Sequence, residues 1–282
     1  GFEAAYAAAG EAGGGELWLK KGFHILKDTV ILKSGVVVRG GFAGDETTAA
    51  DAKPEENITS ISGDTDHDNK WRPGGATQSK TWVSIYDGNG GYAPINPTGA
   101  ARYWSPGNSN ATYTPYAVND IPIGFTNATD AVVETVEFYG IWFSGFRLTT
   151  GAVSGMLLEG CTFLANNTVD AETHPLYLST ATVRVKDSKF INNRRACTLS
   201  GGAADFENCI FHNNTTATIN GSGLVYGVNG SELSFDHCNV LRSVGHASYL
   251  DATTKNVWKN SMFYGNLRTA QDNTNSSDYY SI

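Results

Sequence analysis

The phrase FYGIWF at residues 138–143 returns five times further along the chain with a similar pattern of apolar, small and polar residues. The later copies are LEGCTF (158–163), VKDSKF (185–190), FENCIF (206–211), FDHCNV (235–240) and WKNSMF (258–263). Successive copies begin 20, 27, 21, 29 and 23 residues apart. A repeat of this length with a variable remainder is typical of a solenoid whose coils carry loops of different sizes.

Each position of the phrase has a physical interpretation. The first and sixth positions are apolar, the fourth is small or apolar, and the second is mostly charged or polar. The third position holds residue types that tolerate a positive φ, namely Gly140, Gly160, Asp187, Asn208, His237 and Asn260. The pattern predicts two short strands that meet at a bend, with neighbouring coils about 4.8 Å apart. We therefore predict an all-β fold, a right-handed parallel β-helix.

Asparagine recurs three residues after the last apolar position of the phrase. The column comprises Asn166, Asn193, Asn214 and Asn266, with Ser243 and Phe146 at the equivalent places in two coils. Such a column indicates a corner with left-handed backbone geometry and side-chain hydrogen bonds along the stack. We interpret it as structural and not as catalytic.

The repeat also divides the chain. We predict a single β-helix domain over residues 1–282. Its parts are an N-terminal cap (1–15) that includes a short helix, first coils (16–63), a loop-rich insertion (64–130), regular coils (131–266) and a polar tail (267–282).

Composition argues against nucleic acid binding and against a transmembrane segment. The net charge is −8 and the basic residues form no cluster, which argues against nucleic acid. The apolar runs are far too short for a transmembrane segment.

Four cysteines, at 161, 197, 209 and 238, show no zinc spacing. Cys209 and Cys238 fall on neighbouring coils, where in-register side chains rarely reach disulfide torsions, so we expect free, buried thiols.

Several short motifs resemble one family of bacterial surface proteins. FLAN (163–166), FINN (190–193), FHNN (211–214) and FYGN (263–266) match an F-x-x-N element, and GGAA (201–204) is similar to a GG-A-I element. Both elements resemble those of polymorphic outer-membrane protein passenger solenoids, as does the opening GGGELWLKKGFHI (13–25). The resemblance implies an extracellular or cell-surface β-helix, often an adhesin or structural module. It brings no established active site.

Two candidate sites lie in the insertion. Asp64, Asp66 and Asp68 alternate along the chain as oxygen ligands at the start of a Ca²⁺ loop would, although an acidic surface turn is the simpler explanation. Aromatic residues could form a sugar-stacking platform or could pack the insertion onto the solenoid wall. They are Trp71, Trp82, Tyr86, Tyr103 and Trp104.

Lyase chemistry would require a base and positive charge to neutralise a uronate. The candidates are Lys186, Lys189, Arg194 and Arg195, with His212, Asp236, His237 and Arg242 on later coils. Against this, one outward column mostly alternates in charge, which favours a structural ladder of opposite charges. That column is Glu159, Lys186, Glu207, Asp236 and Lys259. His237 lies in the bend column, which favours a turn histidine.

Three functions remain open from the sequence. The first is a non-enzymatic extracellular β-helix with a structural, adhesive or self-assembling role, whose partner is another copy or an extracellular polysaccharide. The second is a polysaccharide lyase or glycoside hydrolase on the same scaffold. The third is a trimeric tailspike-like fibre. Fold alone does not choose among them.

Overall fold

The computed structural model describes residues 1–63, 124–127, 132–144, 147–164, 166, 174–193, 195–214, 223–243, 246–264 and 276–277. These ranges contain helix α1 (Phe2–Glu11), a 3₁₀ turn (Ala49–Asp51) and short strands, numbered β1 to β22 in chain order. Every strand pairing among the described residues is parallel, and strands pair with the equivalent strands of neighbouring coils. The chain is therefore a parallel β-helix, as the repeat predicts.

The first sheet carries the opening half of the repeated phrase. Its strands are β1 (Gly15–Lys20), β4 (Val36–Phe42), β7 (Val133–Tyr139), β10 (Val153–Glu159), β12 (Leu176–Lys186), β14 (Cys197–Glu207), β17 (Glu232–Asp236), β20 (Lys255–Lys259) and β22 (Ser276–Ser277).

The second sheet carries the closing half of the phrase. Its strands are β2 (Gly22–Ile25), β5 (Thr59–Ser62), β8 (Ile141–Ser144), β11 (Thr162–Leu164), β13 (Lys189–Ile191), β15 (Ile210–His212), β18 (Asn239–Leu241) and β21 (Met262–Tyr264).

A third face completes each coil. It consists of β3 (Val30–Ile31), β6 (Gly124–Thr126), β9 (Arg147–Thr150), β16 (Gly223–Val228) and β19 (His246–Leu250), together with residues 176–179 of β12 and 197–200 of β14. β12 and β14 are long because each turns a corner without a break, from the third face onto the first sheet.

Left-handed residues form the corners. The six predicted bend residues all have φ between 49° and 64°, which confirms that column. Positive φ values also occur at Thr135, Gly155, Thr180 and Gly201, between the third face and the first sheet. Glycine, asparagine and aspartate adopt this conformation at lower cost than other residues, so their recurrence specifies where each coil turns.

The asparagine column differs from the prediction by one residue. The left-handed residues at this corner are Asn192, Asn213 and Arg242, each one position earlier. Asn166, Asn193 and Asn214 instead point inwards and are almost completely buried, where they bond to one another along the stack. Phe146 and Asn266 lie outside the described residues. The corner thus separates two functions, a turn at one residue and a hydrogen-bonded ladder at the next.

Stacked phenylalanine rings fill the interior. Phe143, Phe163, Phe190 and Phe211 lie in one column, with ring centroids 4.7 to 5.0 Å apart. A second column on the first sheet contains Phe206, Phe235 and Trp258. Burial of these large side chains contributes strongly to the stability of the core.

The N-terminal helix covers the first coils. Tyr6 is completely buried, and its ring centroid lies 5.4 Å from that of Phe125. Burial raises the pKa of Tyr6 to about 12. The Glu3 carboxylate accepts a hydrogen bond of 2.6 Å from the backbone N–H of Lys27, which ties the start of the helix to the solenoid. No helix in the described part of the chain is long and apolar enough to cross a membrane.

All four cysteines are free and buried, which confirms the expectation for Cys209 and Cys238. Burial raises the pKa of Cys161 and of Cys197 to about 12, so these thiols stay protonated at neutral pH. They act as small apolar groups in the core.

Candidate functional site

The two sites predicted in the insertion lie outside the described residues. These are Asp64, Asp66 and Asp68 for Ca²⁺, and Trp71, Trp82, Tyr86, Tyr103 and Trp104 for sugar stacking. Both sites stay predictions. Among the described residues, no group of three or more histidine, cysteine, aspartate or glutamate side chains lies close enough together to hold a metal ion.

The candidates for lyase chemistry are spread over the molecule. The first sheet carries Lys186 and Asp236, and the second carries Lys189 and His212. Arg195 lies just ahead of the third face, and Arg194 lies outside the described residues. The Lys189 ammonium is 3.2 Å from the Glu55 carboxylate, so this lysine already has a structural partner. The described part of this set therefore does not converge on one site.

The outward charged column has the predicted register. Glu159, Lys186, Glu207, Asp236 and Lys259 occupy successive rungs of the first sheet. Glu207 forms a salt bridge with Arg184, with 2.8 Å between the carboxylate and the guanidinium. Both side chains are about half exposed, so the pair contributes weakly to stability.

His237 is a turn residue. It has a φ of 53°, its side chain is 65% exposed, and its Nδ1 lies 2.9 Å from the carboxylate of Asp236. A hydrogen bond from the Asn260 amide, together with the nearby imidazole, holds the pKa of Asp236 below its usual range. These contacts explain the pair without an active site.

An open depression of about 570 Å³ lies beside the loop after β4. Two of its acidic residues, Glu46 and Asp51, are already engaged in structure. The Glu46 carboxylate accepts hydrogen bonds from the backbone N–H groups of Ala43 and Gly44, and Asp51 caps the 3₁₀ turn. These contacts hold the pKa of Glu46 at about 2. The depression is therefore the surface of a well-bonded loop.

The third face carries a column of tyrosines. Tyr177, Tyr226 and Tyr249 lie on β12, β16 and β19, and Thr198 of β14 occupies the rung between the first two. The residues before and after each tyrosine are buried, whereas the tyrosines are half-buried and point outwards. Thr149 continues the column one rung before Tyr177.

Two arginines accompany these rings. The guanidinium carbon of Arg147 lies 5.1 Å from the ring centroid of Tyr177, and that of Arg195 lies 4.8 Å from the ring of Tyr226. The Tyr226 and Tyr249 rings are stacked, with centroids 5.5 Å apart. We name the set Arg147, Thr149, Tyr177, Arg195, Thr198, Tyr226 and Tyr249 the tyrosine face.

A histidine joins the tyrosine face at its centre. His174 is buried, and its Nε2 lies 3.1 Å from Nη1 of Arg195. The same arginine nitrogen lies 3.5 Å from the Thr198 hydroxyl, and the His174 ring lies against that of Tyr177. These contacts fix the Arg195 guanidinium beside the Tyr226 ring and link it through His174 to Tyr177.

The charge of the tyrosine face differs from that of the chain. None of the strand segments of the third face contains an aspartate or a glutamate, although the net charge of the chain is −8. The first sheet, by contrast, carries both carboxylates and basic groups along its outer surface. The arginines thus lie on a surface built without strand carboxylates.

Arg195 is the one member of the tyrosine face that the sequence singled out, as a lyase candidate. Tyr177, Tyr226 and Tyr249 were missed because they follow loops of unequal length. The sequence does contain a signal for this column, which is a nearly constant distance to the next apolar anchor, meaning the first position of the next repeated phrase. Thr149, Tyr177, Thr198, Tyr226 and Tyr249 each precede that anchor by eight or nine residues.

No protein-family model and no curated protein match this chain. Similar solved structures are a candidate glycosyl hydrolase from Parabacteroides merdae, the A-module of a mannuronan C-5 epimerase from Azotobacter vinelandii, and a tailspike of the Acinetobacter baumannii bacteriophage Fri1, a capsular polysaccharide depolymerase. Sequence identities are 10%, 10% and 14%, with TM-scores of 0.35, 0.30 and 0.31.

The matches cover 95%, 99% and 96% of this chain, and 86%, 94% and 53% of the respective structures. Likeness at this level carries no inference about function. Assignment of the fold rests on the parallel pairing of the strands themselves.

Proposed function

We propose that this chain is an extracellular or cell-surface β-helix that binds polysaccharide on the tyrosine face and has a structural or adhesive role. The observation that carries the proposal is the column of three outward tyrosines and two threonines on successive coils. The resemblance to surface solenoids in the sequence motifs agrees with such a location.

Tyrosine suits carbohydrate because it offers an apolar ring and a hydroxyl on one side chain. A sugar likewise presents apolar C–H groups and many hydroxyls. The hydroxyl of the half-buried Thr149, one rung before Tyr177, adds a further donor and acceptor. Because the Tyr226 and Tyr249 rings are stacked and two arginines pack on the column, these side chains have less freedom to lose on binding.

A lyase or hydrolase on the same scaffold is the second candidate. It is favoured by one observation, the contact of 3.1 Å between Arg195 and His174 beside the hydroxyl-bearing ring of Tyr177. A guanidinium can neutralise a uronate while an imidazole or a phenol transfers a proton. Release of unsaturated sugars or of new reducing ends from a bound polysaccharide would establish this candidate.

The first experiment is affinity electrophoresis of the purified chain through gels that contain neutral or acidic polysaccharides. We expect retardation by at least one polymer, and about tenfold weaker binding or more after Tyr226→Ala combined with Tyr249→Ala. Size-exclusion chromatography of the same samples reports self-association, the other partner that the sequence leaves open.

Tyr139→Ala is the matched control for this experiment. Tyr139 is half-buried on the first sheet and packs 3.8 Å from the guanidinium of Arg39, so it reproduces an arginine–tyrosine pair on a different face. Binding that survives the double tyrosine substitution but fails in Tyr139→Ala would contradict the proposed site. Absence of binding to any polymer would contradict the proposed function.

A further inference from the structure

We infer that the tyrosine face selects a carboxylate-bearing polysaccharide whose chain runs along the axis of the β-helix, because Arg147 and Arg195 flank the tyrosine column two coils apart. The inference rests on the proposed function and specifies its ligand. It depends on two features, the charge of the face and the direction of the column.

The first feature is the charge of the third face. Its strand segments contain no acidic side chain, so a bound carboxylate meets no strand carboxylate of the same sign. Asp170 and Glu172 precede β12 in the chain and lie outside the described residues. The strand segments of the third face therefore add no negative charge that would repel an anionic ligand.

Arginine has a specific match to a carboxylate. Its planar fork of N–H donors fits the two oxygens of the anion in a bidentate geometry, and its charge persists at any physiological pH. The tyrosine rings lie 5.1 and 4.8 Å from the guanidinium carbons and restrict the orientation of each fork. A uronate would thus gain ring contact and charge pairing at the same place.

The direction of the ligand follows from the register. Each coil contributes one residue to the column, and neighbouring coils lie about 4.8 Å apart. The column from Thr149 to Tyr249 spans five coils, or about 19 Å, and the two arginines are separated by about 10 Å. A ligand that contacts both arginines must be extended along the axis and must carry repeated charges, as a polyuronate does.

The test compares polygalacturonate with the same polymer after reduction of its carboxyl groups to alcohols. We expect the carboxylated polymer to bind about tenfold tighter or more, with a preference that weakens as salt is raised. The combined Arg147→Gln and Arg195→Gln substitutions should abolish that preference. Arg184→Gln is the matched control, because this arginine is 59% exposed on the first sheet and should leave the preference intact.

Other outcomes separate the inference from the proposed function. Equal binding of both polymers, still lost in the double tyrosine variant, would overturn the charge selectivity and leave polysaccharide binding in place. Equal affinity for a sulfated polymer of similar charge would overturn the carboxylate preference. Affinity that stops rising at a disaccharide would overturn the axial direction, since the site predicts a gain with each added sugar until the ligand spans the column.

Discussion

At the scale of single residues, the buried asparagines show how a polar side chain can stabilise an apolar stack. The backbone N–H of Asn193 donates to Oδ1 of Asn214, and its own Oδ1 accepts from the backbone N–H of Asn166, both at 2.9 Å. Its amide also donates to the carbonyl of Phe163 at 2.9 Å. The side chain is completely buried, so each coil is bonded to the next where water cannot compete.

Asn193→Ala should therefore cost about 2–4 kcal/mol of unfolding free energy. The substitution leaves the Asn166 N–H and the Phe163 carbonyl buried with fewer partners, and each unsatisfied group costs about 1–3 kcal/mol. Urea denaturation measures the change. Asn239→Ala, at a half-buried outward position on β18, is the matched control and should change stability by less than about 0.5 kcal/mol. Similar losses in the two variants would contradict the proposed role of the ladder.

The sequence predicts such residues well where a residue type has a strong backbone preference. The bend column was found because glycine, asparagine and aspartate tolerate positive φ, and His237 was placed correctly by its alignment with them. The asparagine ladder was found, but its left-handed residue was placed one position late. Two adjacent asparagines, such as Asn192 and Asn193, look alike in sequence although one makes the turn and the other makes the hydrogen bonds.

At the scale of elements, two carboxylates hold the loop after β4 in shape by accepting hydrogen bonds from its backbone. Glu46 accepts hydrogen bonds from Ala43, Gly44 and Asp45, and Asp51 accepts from the N–H and the hydroxyl of Thr48. The backbone donors lower the pKa of Glu46 from 4.5 to about 2. The ionised carboxylate is therefore the form that the folded loop favours.

Glu46→Gln should remove a pH dependence from the stability of this loop. Because the folded pKa is depressed, the contribution of Glu46 is fully present above pH 4.5 and is lost as the pH falls towards 2. The protection factors of the amides of residues 43–52, which correct for the pH dependence of intrinsic exchange, should thus fall over that window in the native chain and change less in the variant. Glu56→Gln, 71% exposed in the same loop, controls for the loss of one charge. An unchanged acid response in Glu46→Gln would contradict the assignment.

Elements also mark the limit of sequence prediction for the site. The first and second sheets were predicted because their phrase has constant length. The third face was not, because Tyr177 and Tyr226 follow the preceding asparagine by 11 and 12 residues, whereas Thr198 and Tyr249 follow the equivalent residues by 5 and 6. Register in a stack depends on which residues of successive coils lie in the same column. When the loops between coils differ in length, a constant spacing along the sequence does not identify those residues.

At the scale of the whole molecule, the stack of coils determines how the protein distributes its stability. Strands contact the equivalent strands of adjacent coils, and the core is a row of rings in contact with the rings above and below. Stability in such a structure is approximately a sum of coils and of interfaces between neighbours. A local defect should consequently weaken its own neighbourhood before it weakens distant coils.

Phe190→Ala tests this property. The Phe190 ring is completely buried between Phe163 and Phe211, with centroids at 4.7 and 5.0 Å, so its removal should leave a cavity and cost about 3–5 kcal/mol. Native-state hydrogen exchange should show the largest loss of protection in β11, β13 and β15, with β1 and β4 affected least.

Phe263→Ala provides the comparison for that experiment, because it removes the same side chain from β21, where the described ring contact is with Trp258 alone. Its loss of protection should concentrate in β18 and β21, so that the two variants give maps centred on different coils. Protection that falls by the same amount in every coil for both variants would instead mean that the solenoid unfolds as one cooperative unit. The free energy of unfolding would then not be a sum over coils. The tyrosine face would open only when the whole chain unfolds, and not when its own five coils do.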